Sequence, residues 1–244
     1  MMEITSVKSL FEAIDGTFQP HDLQMYRGQT RENWPLIPSI GRHNDTRGGH
    51  TNWRDYQEQV VKRFLRLARP YIGDPSPNYR NALVLGQHHG LPTCLLDTST
   101  NPLKALFFAV NHPVDDKFNG ALCAFSYSRW REDVGQEDNF QWGEDAIPFL
   151  PEQLNPRLTA QEGAFIVYPL AVNTQPLRPI DELKNDHLSI VKFIIPAESK
   201  KILRQELSIL GVQFRLLFPD LDGVAKGVKL DYFEDELSFR RMFK

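Results

Sequence analysis

The chain has 244 residues, 41% of them hydrophobic and 24% charged, and these proportions predict a globular protein with a sizeable core. Its formal net charge of −3 gives no overall positive field, which argues against a protein that coats nucleic acid but is compatible with a local basic cleft. No apolar run approaches membrane-spanning length, and the N-terminus lacks the pattern of a signal peptide. Two cysteines, Cys94 and Cys123, lie in apolar surroundings and predict free thiols, as in a reducing compartment. Together these features predict a cytoplasmic protein with no membrane partner.

Apolar periodicity predicts short strands and helices in irregular alternation. Helices are predicted over 5–15, 53–69, 79–89, 102–111, 199–210 and 219–228, and strands over 23–26, 93–96, 121–125, 164–167 and 190–195. The core-facing stripe predicted for helix 53–69 comprises Trp53, Tyr56, Val60, Phe64, Leu67 and Ala68. The strand over 190–195 is almost wholly apolar and is predicted to be central in a sheet.

The order of these elements predicts the fold class. Strands and helices mix without a regular β-α-β rhythm, which favours an α+β fold with a mixed or split sheet packed by helices. We expect one domain over residues 1–244, with its core between about 20 and 230. Residues 127–158 are polar and aromatic without periodicity, and they predict a long loop or lid.

The stretch from Gln87 to Pro102 holds polar side chains between two apolar segments. Gly90 and Pro92 predict the end of one helix, and Asn101 with Pro102 predicts the start of the next. Residues 97–100 therefore lie where a strand ends and a helix begins. Main-chain N–H groups and hydroxyls converge at such a place, which suits an anion or a sugar.

Two other kinds of site are disfavoured by this stretch. His88 and His89 are adjacent on a helix and point about 100° apart, so they cannot clamp one metal ion as an i, i+4 pair does. Ser99 lacks a Gly-x-Ser-x-Gly elbow, and the apolar neighbours of Cys94 favour a core thiol over a nucleophile.

Several motifs resemble the FRG domain family. Tyr26-Arg27-Gly28-Gln29 is similar to the motif that names the family, and residues 87–93, 95–97 and 101–102 resemble its central signature. Three further segments, 34–39, 161–165 and 217–221, extend the resemblance to nearly the whole chain. The sequence departs from the family pattern at Cys94, where arginine is usual, and at Thr98, where tryptophan is usual.

An ordered trio of segments is also similar to the arginine–serine–glutamate class of ADP-ribosyltransferases. The resemblance implies NAD as the substrate, a guanidinium on the pyrophosphate, and a carboxylate that stabilises the oxocarbenium ion. The first serine of that class falls on Asp97 and its glutamate on Gly163, so Asp97 is the best-aligned carboxylate. On a strand, Gln161 would share a face with Gly163 and Glu162 would face away.

The resemblance therefore implies a set of site residues. The residues implied for catalysis are Arg27, Asp97 and Gln161, and we expect them to converge on one pocket. The residues implied for binding the dinucleotide are Tyr26, Gly28, Gln29, His88, His89, Thr98, Ser99 and Asn101. We expect one of His88 and His89 to line the pocket and the other to pack or face solvent.

A purely structural interpretation also stands at each position. Arg27 and Asp97 would then form a buried ion pair, Asp97 would cap the helix at 102, and Gln161 would bridge main-chain groups. We expect an NAD-dependent ADP-ribosyltransferase-like enzyme or NAD glycohydrolase that acts as a toxin or phage-defence effector. Its acceptor would be protein, RNA or DNA, and an antitoxin or regulatory partner would control it. The alternative is a non-catalytic module that senses a nucleotide or nucleic acid in the same pocket.

Overall fold

The computed structural model describes residues 2–43, 49–72, 77–128, 145–152 and 155–230. Its strands are β1 (Leu23–Gln29), β2 (Leu95–Ser99), β3 (Gly120–Tyr127), β4 (Ile147–Phe149), β5 (Gly163–Val167) and β6 (Leu188–Ile195). Its helices are α1 (Val7–Ile14), α2 (Trp53–Ile72), α3 (Tyr79–His88), α4 (Pro102–Val110), α5 (Pro156–Ala160), α6 (Lys200–Ile209) and α7 (Phe214–Leu217), and residues 221–230 are also helical. The predicted α+β class is confirmed.

The strands form one sheet in the order β4-β5-β2-β1-β3-β6, and neighbouring strands run antiparallel. The middle of the sheet is its weakest point. β1 pairs with β3 along its whole length, whereas β1 and β2 pair only at Tyr26 and Ser99. The sheet therefore consists of two well-paired halves, β4-β5-β2 and β1-β3-β6, that diverge on one side of this pair.

Two apolar clusters cover the sheet. Along β1 and β3 the side chains alternate between them, because successive residues of a strand point to opposite faces. Met25 and Phe125 belong to the cluster that includes Trp53 of α2, and Tyr26 and Ala124 belong to the cluster built around α1, α4 and α6. The two clusters therefore hold β1 from both faces beside its pairing with β2, because the adjacent residues Met25 and Tyr26 belong to different clusters.

The predicted core face of α2 is confirmed at its start, where Trp53 is buried and Tyr56 packs against the core, and is wrong further along the helix. Its buried residues are Trp53, Gln57 and Val61, whereas Leu67 is 62% exposed. The buried face is shifted because Gln57 is fully buried: its side chain accepts from the N–H of Cys94 at 2.7 Å and donates to the Cys94 sulfur at 3.2 Å. Apolar periodicity cannot predict such a position, because the residue is polar and is buried through its hydrogen bonds to a neighbouring segment.

The predicted central position of β6 is also wrong, because β6 is at the edge of the sheet. Its free side is met by an isolated bridge from Glu3 to Ile194, and its two faces still pack apolar residues: Ile190 against one cluster, Val191 and Phe193 in the other. The predicted loop over 127–158 contains β4 and the start of α5. Its segments 129–144 and 153–154 lie outside the described residues. No helix in the described part of the chain is both long and apolar enough to cross a membrane.

Candidate functional site

A cleft of about 420 Å³ lies where β1 and β2 diverge. Arg27, Asp97 and Gln161, which come from three separate parts of the chain, all line it. Of the residues predicted to bind a dinucleotide, those that line the cleft are Tyr26, Gly28, Gln29, Thr98 and Ser99. His88, His89 and Asn101 are not among its lining residues. The predicted strand ends are too early: β1 runs to Gln29 and β2 to Ser99, so Arg27 and Asp97 lie within strands.

Arg27 spans the gap between the two halves of the sheet. Its Nη1 donates to the main-chain carbonyl of Asp97 at 2.6 Å and lies 3.7 Å from the Asp97 carboxylate. The Arg27 side chain is 16% exposed, and its buried Nε has no acceptor among the residues that the structure describes. Burial lowers the pKa of Arg27 and the Asp97 charge opposes that shift, but a guanidinium stays protonated. The cleft thus has a fixed and incompletely satisfied cation on its floor.

Asp97 has a defined orientation although its side chain is 63% exposed. Its Oδ1 accepts from Nε2 of Gln87 at 2.5 Å, and the Gln87 carbonyl accepts from the hydroxyl of Thr93. Because Thr93 is fully buried and occupies the carbonyl end of Gln87, the amide end is directed at Asp97. The predicted buried ion pair is therefore a loose, partly solvated contact, and Asp97 presents an accessible carboxylate to the cleft.

Two further arginines reach the cleft, and sequence reasoning missed both. Arg42 belongs to a 3₁₀ turn over Ser39–His43, and this turn is held against Thr93 because Ser39 Oγ accepts from the Thr93 N–H at 2.9 Å. Arg157 is on α5, with its guanidinium 4.4 Å from the centre of the Phe218 ring. Among the described lining residues, three guanidinium groups face one carboxylate. The only sequence signal for Arg42 was its place shortly after the Trp34–Ser39 motif.

An apolar wall completes the cleft. Phe108 of α4 and the half-exposed Trp34 line it, and Phe108 packs edge-on against Phe218 at 6.0 Å between ring centres. α4 comes this close because of Gly28: a Cβ at Gly28 would lie 2.0 Å from the carbonyl oxygen of Ala105. Glycine is therefore required on β1 for the helix to pack directly on the strand.

Several predicted binding residues have structural contacts. Ser99 donates its hydroxyl to the carbonyl of Gln161 at 2.7 Å, and the Gln161 amide donates to the carbonyl of Leu217 at 3.1 Å. Asn101, rather than Asp97, caps α4 through bonds to the N–H groups of Leu103 and Lys104. The Gln161 side chain therefore bonds to one main-chain group, the Leu217 carbonyl, rather than bridging several as the structural interpretation expected.

The predicted strand geometry around Glu162 is wrong. Residues 161–162 form a turn, and Glu162 adopts a left-handed conformation with φ +45°. Its carboxylate is 2.7 Å from the ammonium of Lys104, which is the leading cause of its lowered pKa. The Glu162 carboxylate is thus paired with Lys104 of α4 and does not line the cleft. Among the described residues, Asp97 is the acidic group in the cleft lining.

The histidines divide between a second cavity and solvent. His88 lines a small cavity beside the cleft, and His89 is exposed. Burial, and next the charge of Arg157, lowers the pKa of His88, so its ring is neutral at pH 7. Burial raises the pKa of Cys94 to about 12, which disfavours the thiolate form that a nucleophile requires. Across the described residues, no cluster of His, Cys, Asp or Glu is placed to hold a metal ion.

Residues 23–117 match the family model of the FRG domain, which confirms that resemblance for the segment carrying β1, β2 and α4. The match includes Arg27, Arg42, Gln87 and Asp97, and the similarity beyond residue 117 stays a prediction. Comparisons with curated proteins and with solved structures gave no match.

Proposed function

We propose that the chain is an NAD-dependent ADP-ribosyltransferase-like enzyme, or an NAD glycohydrolase, with its active site in the cleft. The observation that carries this proposal is the charge of the lining: Arg27, Arg42 and Arg157 face the single carboxylate of Asp97. An excess of guanidinium groups suits the phosphates of a nucleotide, since these groups bind phosphate oxygens by paired, charge-assisted hydrogen bonds. Its volume of about 420 Å³ falls within the range of pockets for small ligands.

Arg27 is the group best suited to the pyrophosphate. Its Nε lacks an acceptor within the described part of the chain, and burial already lowers its pKa. An incoming phosphate would supply the missing negative charge to a guanidinium held rigidly by the Asp97 carbonyl. Binding would therefore gain from a cation whose position is fixed before the ligand arrives.

Asp97 supplies the charge that the reaction needs. Cleavage breaks the C–N bond between the ribose and nicotinamide, and the bonding electron pair stays on the pyridine nitrogen. The ribose then carries a positive charge, which a nearby carboxylate stabilises more strongly in the transition state than in the substrate. Water or an acceptor group attacks the ribose carbon and loses a proton. The same chemistry serves hydrolysis or transfer to protein, RNA or DNA.

A non-catalytic nucleotide-sensing module is the second candidate. It is favoured by the structural use of the other polar residues: Ser99 and Gln161 bond to main-chain carbonyls, and Glu162 is paired with Lys104. A site that keeps the phosphate-binding arginines without a working carboxylate would bind and not turn over. Asp97 is therefore the residue on which the two candidates differ.

The first test replaces Asp97 by asparagine, which keeps its shape and removes its charge. We expect Asp97→Asn to abolish nicotinamide release from NAD while leaving affinity within a few-fold, because the carboxylate acts on charge that develops in the transition state. The assay combines calorimetric titration with nicotinamide release in the presence of candidate protein, RNA and DNA acceptors. Asp186→Asn, at an exposed carboxylate outside the cleft lining, is the matched control and should change neither quantity.

The second test replaces Arg27 by alanine. We expect NAD binding to weaken by roughly 1.5–3 kcal/mol, the scale of a hydrogen bond to a charged group. Arg178→Ala, at an exposed arginine outside the cleft lining, is the control. Wild-type binding without turnover under any condition would favour the sensing module. A fall in melting temperature for Arg27→Ala and Asp97→Asn, with NAD affinity and turnover unchanged, would contradict both candidates.

A further inference from the structure

A second cavity of about 90 Å³ adjoins the cleft, and we call it the side chamber. The two cavities share Gln87, Asp97, Arg157 and Gln161 as wall residues. The Asp97 carboxylate therefore stands at the boundary between a large, arginine-lined cleft and a small chamber. A ligand that spans this boundary would be contacted by Asp97 near its middle, with its larger, phosphate-bearing part in the cleft.

The side chamber combines apolar surfaces with hydrogen-bonding side chains. Val84, Leu158 and Phe165 supply the apolar surfaces, which suit a flat ring. Asn155 uses its Oδ1 to cap α5 at the Leu158 N–H, and Gln161 uses its Nε2 on Leu217. Among the described residues, the Nδ2 donor of Asn155 and the Oε1 acceptor of Gln161 have no partner. One free donor and one free acceptor match the oxygen and NH₂ of a carboxamide.

We propose that the side chamber binds an aromatic heterocycle that carries a carboxamide, namely the nicotinamide that leaves when the ribose bond breaks. The proposal rests on the NAD-dependent function proposed above and fixes the orientation of the substrate: phosphates toward Arg27 and Arg42, nicotinamide toward Asn155 and Gln161. The neutral ring of His88 completes the chamber wall and adds no charge beside the leaving group.

The decisive variant is Asn155→Ser. Serine caps a helix about as well as asparagine but is too short to carry a donor to the chamber. Ligand binding is measured by calorimetry with two probes, carba-NAD, which resists cleavage, and ADP-ribose, which lacks nicotinamide. We expect Asn155→Ser to weaken carba-NAD by about three- to tenfold, the effect of one lost hydrogen bond, and to leave ADP-ribose unchanged. Asn78→Ser is the matched control, because Asn78 caps α3 in the same way and lines neither cavity.

A second pair of variants tests occupancy of the chamber. His88→Trp adds bulk at the chamber wall and should also weaken carba-NAD selectively, whereas His21→Trp, at an exposed histidine that lines neither cavity, should not. The chamber assignment is overturned if Asn155→Ser and His88→Trp weaken carba-NAD and ADP-ribose equally, or if neither of these two variants weakens carba-NAD. In either case, binding of NAD by the wild type would leave the proposed function standing. If the wild-type chain binds neither carba-NAD nor ADP-ribose, the chamber assignment and the proposed function are both overturned.

Discussion

At the scale of single residues, the hydrogen-bond chain from Thr93 through Gln87 to Asp97 sets the orientation of the cleft carboxylate. Thr93 is buried and donates to the Gln87 carbonyl, and the Gln87 amide donates to Asp97. Thr93 and Gln87 carry no charge, so their contribution to the cleft is to fix the orientation of the Asp97 carboxylate. This contribution can be measured as a change in the free energy of unfolding, because removing one side chain leaves its buried hydrogen-bonding partner unsatisfied.

A double-mutant cycle tests this chain. Gln87→Met should cost about 1–3 kcal/mol in the free energy of unfolding, because the buried Thr93 hydroxyl loses its acceptor. Combined with Thr93→Val, the losses should be non-additive by at least about 0.5 kcal/mol. Gln87→Met combined with Thr17→Val, which removes a hydroxyl bonded elsewhere to Ala13, should be additive. Additivity in both pairs would show that the Thr93–Gln87 bond does not form in solution.

The pH dependence of the Glu162–Lys104 pair follows from the direction of the Glu162 pKa. The bond from Lys104 lowers that pKa below the unfolded value. The stabilisation is therefore present above about pH 4.3 and is lost as the pH falls through the folded pKa. Since the Glu162 side chain is 47% exposed, we expect Glu162→Gln to cost less than about 1 kcal/mol at neutral pH.

Denaturant titrations of the wild type and Glu162→Gln across acidic and neutral pH check this prediction. The difference between them should vanish in acid, because the wild-type carboxylate is then protonated. Glutamine has the same shape and the same left-handed strain at φ +45°, so strain cancels in the comparison. A difference that stays constant with pH would mean that the ion pair contributes nothing to stability.

At the scale of elements, the contact of α4 with β1 depends on the absence of a side chain at Gly28. A Cβ there would meet the main-chain atoms Ala105 O at 2.0 Å and Ala109 N at 2.6 Å, and neither can move without moving α4. We expect Gly28→Ala to destabilise the fold by at least about 3 kcal/mol. Gly16→Ala, where φ is +67° but the space is open, should cost about 1 kcal/mol. Thermal melts of the two variants make the comparison, and equal losses would contradict the packing argument.

The sequence predicted which segments form elements better than how those elements pack. Apolar periodicity identifies the segments of α2 and β6, but the core face of α2 depends on Gln57 and the edge position of β6 on its pairing with β3. In the cleft, the motifs indicated Arg27, Asp97 and Gln161. Arg42 and Arg157 were missed because tertiary packing alone brings a 3₁₀ turn and a five-residue helix to the same cleft.

At the scale of the whole molecule, the divided sheet concentrates positive charge in a chain of net charge −3. The two halves meet at Tyr26 and Ser99, and the cleft that opens beside this pair collects the three arginines. A small phosphate-bearing ligand would respond to these local charges, whereas an extended nucleic acid would also meet the negative remainder of the surface. If the charges of the cleft govern ligand binding, a charge reversal should weaken binding only when it lies in the cleft. If the net charge governs binding, the same reversal should have the same effect anywhere on the surface.

The two variants Arg42→Glu and Arg178→Glu separate these effects. Each makes the chain more negative by two charges, but Arg42 lines the cleft and Arg178 is exposed outside its lining. We expect Arg42→Glu to weaken ADP-ribose binding strongly at an ionic strength of about 0.01 M and less at about 1 M, because salt shortens the Debye length from roughly 30 Å to 3 Å. Arg178→Glu should have little effect at either salt concentration. Equal weakening by the two variants would mean that net charge, rather than the arginines of the cleft, governs binding.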